Sequence, residues 1–392
     1  MKKACQYIII AVFLIIIVLP LILINRDKDA VSLLENKKLA EKPSLLLEDS
    51  SININYIEDL QSYINDNIGL KQQAIVFNIA YKYKFFRKVD IPYYIKGKDG
   101  HVFYTNTDTL LTTMLGKDML SEDRLKDITK NTKRMQAVAN SFGADFYIVT
   151  IPDKQEVYPE YLPDSINNVV DKTKLDILDE YINENSDIRL LNLKPMLLKE
   201  KEKTEELSYY KNYDATHWNQ WGAFLGYRGI MNFIQQYDHD ISAVPVTDYD
   251  VVKTKTPSTI AHLSGEKMLC DAFEFEDYMY SFQKKSPTDI MIETTPPKEI
   301  KVTLGKQYFH YNNPAASSHK TLLILGDSYI YSFMLPFLSE SFENIYYQDY
   351  SIDPEIFYEL GVEVKPDIVL FEFVHRMNGY DSTQKYSLFS ID

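Results

Sequence analysis

The chain is poor in cysteine, with only Cys5 and Cys270 among 392 residues. On the topology argued below they fall on opposite sides of a membrane, so no intramolecular disulfide is expected and the core must hold the fold. A basic excess is missing too. The 42 Lys and Arg against 56 Asp and Glu give a formal charge of -14, which argues against non-specific binding to DNA, RNA or an anionic membrane face, because each needs a basic surface. No second His or Cys stands at ligand spacing around the histidines, so no metal is expected. Internal repeats and low-complexity tracts are absent as well.

What is present is apolar and aromatic. Hydrophobic residues make up 45% of the chain, with 30 Tyr and 20 Phe, enough for a large core and for surfaces that stack on sugars. The length suits one large domain with an appendage. Tyr7–Ile24 is an unbroken apolar run containing Pro20, preceded by Lys2 and Lys3 and followed by Arg26-Asp27-Lys28-Asp29. Such a run reaches about 27 Å as a helix and predicts a membrane span. The basic tip places the amino end in the cytoplasm, and no small-residue cleavage site follows, so an uncleaved signal anchor is expected.

The expected organisation is a cytoplasmic tip over 1–6, the span over 7–24, a juxtamembrane helical region over 25–90 and a domain over 91–392. Helical periodicity marks Ile54–Asn67 and Leu70–Arg87. Ile95 to Tyr104 reads as a hairpin around Asp99-Gly100. From residue 121 onward, short apolar runs alternate with helical stretches. Asp145–Ile151, Ile188–Leu193, Thr321–Leu325, Asn344–Gln348 and Asp367–Phe373 predict five strands of a parallel sheet covered on both faces. The region of about 238–320 has no helical period and several prolines, and is expected to be an insertion of loops and short strands.

Leu325-Gly326-Asp327-Ser328-Tyr329 closes one of these strands. A serine there sits where a strand opens into a helix, and reads either as a nucleophile or as an ordinary helix cap. Asp327 is expected to fix the turn. About a hundred residues upstream, Asp214-Ala215-Thr216-His217-Trp218-Asn219 offers an imidazole to take the serine proton and a carboxylate to orient it; alternatively it is a capping loop with an incidental histidine. His375 and Arg376 follow the last strand at the same sheet edge. His375 is a rival base, and Arg376 either stabilises an oxyanion or pairs with Glu372.

Together these segments resemble the alginate O-acetyltransferase type of SGNH protein. The resemblance rests on Glu35 to Pro43, Asp66 to Lys71, Gly97 to Gly100 with Phe103, Ile151-Pro152-Asp153-Lys154 with Tyr158-Pro159, His217-Trp218-Asn219, Gly222-Ala223, Asn313-Pro314, Gly326 to Tyr329 and Lys365-Pro366-Asp367. It implies a three-layer α/β SGNH-like fold in which the Asp/His motif precedes the serine, as in a circularly permuted hydrolase. The family carries Asp two residues before the His, whereas here Asp214 stands three before His217 and Ala215 takes the nearer position. His375 likewise stands where many relatives have Glu.

The implied protein is a single-pass, membrane-anchored extracytoplasmic O-acetyltransferase acting on an envelope or secreted polysaccharide. Ser328 would be the nucleophile, His217 the base and Asp214 its orienter, with Tyr329, Trp218, Arg376 and Asn219 as substrate or oxyanion candidates. No soluble cofactor is implied. The expected partners are the polysaccharide acceptor and a multipass membrane-bound O-acyltransferase that delivers the acyl group. A carbohydrate deacetylase or esterase on the same triad is a second reading, and a non-catalytic polysaccharide-binding assembly protein a third. Trp218, Tyr329 or Tyr331 is expected to line an open groove beside the serine.

Overall fold

The computed structural model describes residues 2–27, 30–32, 37–47, 51–91, 94–105, 110–166, 169–258, 269, 272–296, 308–349 and 354–375. The chain divides into two compact units. One comprises 1–92 with 257–276, and the other 93–256 with 277–392.

The first unit holds α1 (Lys2–Ile22), α2 (Tyr56–Asn67) and α3 (Lys71–Phe86). The end of α1 is tied to the α2–α3 turn by Gly69 N–H to Pro20 O (2.9 Å) and Asn25 N–H to Asn67 O (2.7 Å). A side chain at Gly69 would meet Leu23 Cβ at 2.5 Å, so the turn must be bare where α1 ends against it. Tyr83 of α3 packs edge-on against Phe273, with centroids 4.8 Å apart. The apolar side chains of α1 from Tyr7 onward are largely exposed. Among the described residues no helix is long and apolar enough to cross a membrane, so the expected anchor remains a proposal.

In the second unit the strands are β1 (Asp145–Ile151), β2 (Arg189–Asn192), β3 (Met291–Glu293), β4 (Tyr308–Asn312), β5 (Ser318–Gly326), β6 (Phe342–Asp349) and β7 (Ile368–Val374). They form a seven-stranded sheet in the order β2-β1-β7-β5-β6-β4-β3. The first five pair in parallel, and β4 and β3 add to the β6 edge in antiparallel fashion. The expectation of a wholly parallel five-stranded sheet is therefore corrected to a mixed sheet. Its two additional strands come from the region read as an insertion, where neither a helical period nor strict alternation marks them. Another part of that region, Tyr249–Ser258, pairs with Phe275–Lys284 as a separate two-stranded sheet.

Period-two alternation distributes each strand between two cores. Leu322 and Ile324 of β5 enter one, with Tyr147, Val149, Ile368 and Leu370. Leu323 and Leu325 enter the other, with Phe146, Ile148, Val369 and Phe371. The second core is covered by α4 (Glu122–Ser141), α5 (Lys174–Asn185) and α7 (Pro354–Val364), and the first by α6 (Gln220–Ile234). At about 1.5–3 kcal/mol per large buried side chain, these two layers supply the main drive to fold. The helices start where the sequence provides caps: Ser121 accepts from Arg124 N–H, Thr173 forms a capping box with Asp176, and Asn219 accepts from Gly222 N–H at 2.9 Å.

The hairpin expected around Asp99-Gly100 is present. Tyr94–Lys96 pairs with Val102–Tyr104, and Asp99 and Gly100 turn with φ of 50° and 79°.

Candidate active site

The turn after β5 is held from several sides. Asp327 caps the short helix Ser328–Tyr331 by accepting from Tyr329 N–H at 2.8 Å, and its other oxygen accepts from Val374 N–H of β7 at 2.8 Å. Its own N–H donates to the buried Glu372 carboxylate (3.0 Å), while Tyr347 OH donates to Gly326 O (2.7 Å). Asp327 thus fixes the loop, as the sequence suggested. Ser328 is left half-buried at the first helical position, and its N–H has no hydrogen-bond partner among the described residues.

The second segment folds around its own carboxylate. Asp214 Oδ1 accepts from Thr216 N–H (2.8 Å), Thr216 Oγ1–H (2.6 Å) and His217 N–H (3.1 Å), and Oδ2 lies 2.8 Å from His217 Nδ1. Burial raises the Asp214 carboxyl, but the hydrogen bonds of His217 and Thr216 and the imidazole charge outweigh it and hold it well below the usual carboxylate range. A carboxylate at Nδ1 places the ring proton there and leaves Nε2 as an acceptor. Nε2 faces Ser328 Oγ at 2.7 Å. Ser328, His217 and Asp214 therefore form one hydrogen-bonded array, joining residues 111 apart in the chain.

The two segments are also joined directly. Tyr329 OH donates to Thr216 O, and Trp218 Nε1–H donates back to Tyr329 O at 3.2 Å. The indole lies against α6 at Gly226, where a side chain would meet its ring at 2.7 Å. Gly222 is required for a similar reason, since a Cβ there would come 1.9 Å from Ser208 O. The small residues of α6 thus let the loop before His217 seat against the helix. Phe333 and Tyr329 flank the imidazole, at 5.5 and 5.0 Å between centroids.

Several expectations need correction. Trp218 and Tyr329 have no exposed surface (0% each), so they build the scaffold of the array and do not line an open groove. Asn219 is 1% exposed and spent on capping α6 and on Leu207 O. Tyr331 is half-buried and packs on Phe309 and Tyr347. Arg376 lies outside the described residues. His375 does not serve Ser328: it is buried, with Nδ1 2.8 Å from Glu156 Oε2 and Nε2 3.9 Å from Asp179.

Sequence reasoning missed Thr216, whose hydroxyl reaches both Asp214 (2.6 Å) and His217 Nδ1 (2.8 Å), and Lys154, which braces their loop. The Lys154 ammonium is buried and donates to Val102 O (2.6 Å) and Lys211 O (2.8 Å), with the Phe103 ring 4.7 Å away. Burial pushes this lysine down to about 7, against the pull of Asp277 and Asp214. It ties the hairpin to the segment that leads into Asp214. Residues 151–158, Ile-Pro-Asp-Lys-Gln-Glu-Val-Tyr, carry no apolar periodicity that would mark Lys154 as buried, so the sequence offered no signal for it. Among the described residues no group of His, Cys, Asp or Glu could hold a metal ion.

Residues 95–286 match the family model of the SGNH hydrolase-like domain of the acetyltransferase AlgX. The matched stretch contains Asp214 and His217 and ends before Ser328. In structure the chain is similar to Bacillus cereus PatB1, at 16% identity and a TM-score of 0.52, with 72% of this chain and 95% of that one covered. PatB1 with a sulfonyl adduct aligns at 16% identity and 0.51, covering 71% and 94%. A DHHW family protein from Eubacterium siraeum aligns at 14% identity and 0.50, covering 73% and 92%. At these identities the likeness is one of fold. No curated protein matches the chain significantly. Across residues 95–286 the chain is thus similar to the SGNH hydrolase-like domain of the acetyltransferase AlgX.

Proposed function

We propose that this protein is a membrane-anchored, extracytoplasmic O-acetyltransferase that passes an acetyl group through Ser328 to a hydroxyl of an envelope or secreted polysaccharide. The observation that carries this reading is the Ser328–His217–Asp214 array, with 2.7 and 2.8 Å between successive partners. The Ser328 proton moves to His217 Nε2 as Oγ attacks the acyl carbonyl. The oxyanion of the tetrahedral intermediate lies at the amino end of the short helix, where Ser328 N–H is available to donate. Collapse expels the donor's leaving group, which takes the proton from the imidazolium, and acetyl-Ser328 remains. A sugar hydroxyl then gives its proton to Nε2 and attacks the acetyl carbonyl, and collapse breaks the Oγ–acyl bond as Ser328 Oγ takes that proton back from the imidazolium. Asp214, held ionised, stabilises the imidazolium in both halves.

The exposed apolar surface of α1 supports an anchor with its amino end in the cytoplasm. An extracytoplasmic site has no acetyl-CoA, so the donor is a multipass membrane acyltransferase, and no soluble cofactor enters the scheme. A specific observation keeps esterase activity as the second reading: the His217 side chain is 20% exposed, so the array is open to water. The array supports an enzyme over a non-catalytic assembly protein.

The test is mass spectrometry of the purified protein after p-nitrophenyl acetate and, separately, after a sulfonyl fluoride. A single acetyl or sulfonyl group on Ser328, absent from Ser328→Ala, is expected. Labelling elsewhere, or none, would remove the mechanism. Acetyl transfer to a sugar, as against release of free acetate alone, separates the transferase from the esterase.

A further inference from the structure

A cavity of about 220 Å³ lies beside the segment that carries Asp214, wholly within the second unit. Its aromatic wall is made by Tyr161, Tyr278 and Tyr280 together with the imidazole of His101. His101 is 3% exposed and stacks on Tyr161 at 4.0 Å with the rings 7° apart. Its buried Nδ1 has no hydrogen-bond partner. A buried polar atom left without a partner costs free energy, which a ligand hydroxyl would relieve. Burial and the Lys154 and Lys211 charges push the imidazole down to about 2, so it stays neutral.

The cavity is charged in both senses. Carboxylates of Asp99, Glu205 and Asp277 share it with Lys211 and with Lys253, whose ammonium pairs with Glu206 at 2.5 Å and lies over one face of the Tyr278 ring at 4.3 Å. With three carboxylates against two ammoniums, one of them already paired with Glu206, a uronate carboxylate gains no net cation here, whereas an uncharged polyhydroxylated ring finds both donors and acceptors. Aromatic faces with polar groups around them are what the C–H face and the hydroxyl rim of a sugar require. Asp277 also connects the cavity to the array, because its Oδ2 accepts from Asn212 N–H (2.8 Å) and Tyr213 N–H (2.9 Å), the two amides just before Asp214.

We propose that this cavity is a subsite for an uncharged sugar residue, a hexose or N-acetylhexosamine, of the acceptor chain, recognised by His101 and by the Tyr161, Tyr278 and Tyr280 wall. The subsite holds a residue of the polysaccharide apart from the one whose hydroxyl attacks acetyl-Ser328. This inference rests on the transferase reading for its biological role, but sugar binding at the cavity is measurable without it.

The test uses full-length protein in detergent with Ser328→Ala, titrated calorimetrically with cellotetraose, chitotetraose and tetramannuronate. One of the two uncharged tetrasaccharides is expected to bind, and to bind about tenfold more weakly after Tyr278→Ala or His101→Gln. Tyr278 is 41% exposed, so its replacement leaves the core intact if the His101 variant misfolds. Binding of tetramannuronate alone, binding of none of the three, or equal affinity in the Tyr278→Ala protein would overturn the subsite. With the wild-type serine restored, sugar binding without acetyl-Ser328 would defeat the transferase reading and leave the subsite standing. Acetyl transfer with the same KM for the sugar in wild type and Tyr278→Ala would do the reverse.

Discussion

Two histidines lie in the second unit with Nδ1 2.8 Å from a carboxylate oxygen, His217 beside Asp214 and His375 beside Glu156, and only the first has a hydroxyl on its other nitrogen. The rest of their surroundings separates them. Around His375 stand Glu156, Asp179 and Asp176, with Lys194 2.5 Å from Asp176, all in a setting that leaves the imidazole side chain 2% exposed. Burial works to discharge this imidazole, but the three acids overcome it and push it up to about 9. A histidine that is already protonated cannot accept a serine proton. At His217 a single carboxylate fixes the tautomer, and Nε2 turns to Ser328. A carboxylate neighbour thus makes a base only when one ring nitrogen remains an acceptor; with more acids around it, the same pair becomes an ionic strut.

The largest test of this contrast is catalytic. His217→Gln is expected to lower acetyl-ester turnover by about 10³-fold or more, because general base catalysis at the serine is lost. His375→Gln is expected to leave turnover within about threefold when measured well below its melting temperature. A drop as large as that of His217→Gln would reverse the assignment, and side-by-side kinetics on both variants decide it.

The next effect is on stability. His375→Gln removes the nearest cation of the buried Glu156 carboxylate, leaving Lys194 at 3.7 Å, and is expected to cost about 3 kcal/mol by denaturant unfolding. Its pH dependence has a definite sign. The folded value of about 9 lies above the ordinary 6.5, so the His375 contribution is fully present below 6.5 and is lost as pH rises toward 9. Glu156, raised by burial but lowered further by His375 and Lys194, adds stability that is present above its unfolded value and lost at acid pH. The gap between wild type and His375→Gln should therefore narrow from pH 6.5 to 9. A gap that widens would break the ionic-strut account.

Lys154 extends the comparison to a buried cation whose direct contacts are carbonyls and a ring. Its folded value of about 7 is below the ordinary 10.5, so the unfolded chain binds the extra proton and stability rises with pH between those values. Lys154→Met is expected to remove that rise, the opposite slope to that of His375, and to raise the KM or lower the kcat by loosening the Asp214 segment. Smaller still, Thr216→Val is expected to cost about 1 kcal/mol of transition-state stabilisation through one lost hydrogen bond to Asp214. A pH–rate profile shifted relative to wild type would distinguish loss of this brace from general destabilisation.

Much of this was legible before the structure. The five parallel strands are short apolar runs ended by turn residues, Ser328 follows such a run at a strand-to-helix turn, and Asp214 and His217 are close enough in sequence to meet in one loop. What stayed hidden depends on packing across the chain. Trp218, Tyr329 and Asn219 are polar-tipped residues beside the array, and sequence cannot say whether such tips face a ligand or the backbone; here they bond to Tyr329 O, Thr216 O and the start of α6. The surroundings of His375 come from Glu156, 219 residues away. The antiparallel strands β3 and β4 take their place from β6, since Tyr308–Asn312 has no apolar alternation of its own.

The reciprocal bonds between Tyr329 and the Thr216–Trp218 segment have a consequence for how the gene can change. They set the spacing of serine and histidine at the point of contact, so the length of chain connecting them is not part of the measurement. Closing a loop costs free energy that grows only with the logarithm of its length, and adding about fifty residues to this one would cost about 0.3 kcal/mol. Loops between α6 and β5 that lie away from Asp277 and from strands β3 and β4 are therefore places where insertions, or a relocated chain terminus, leave the reacting atoms where they are.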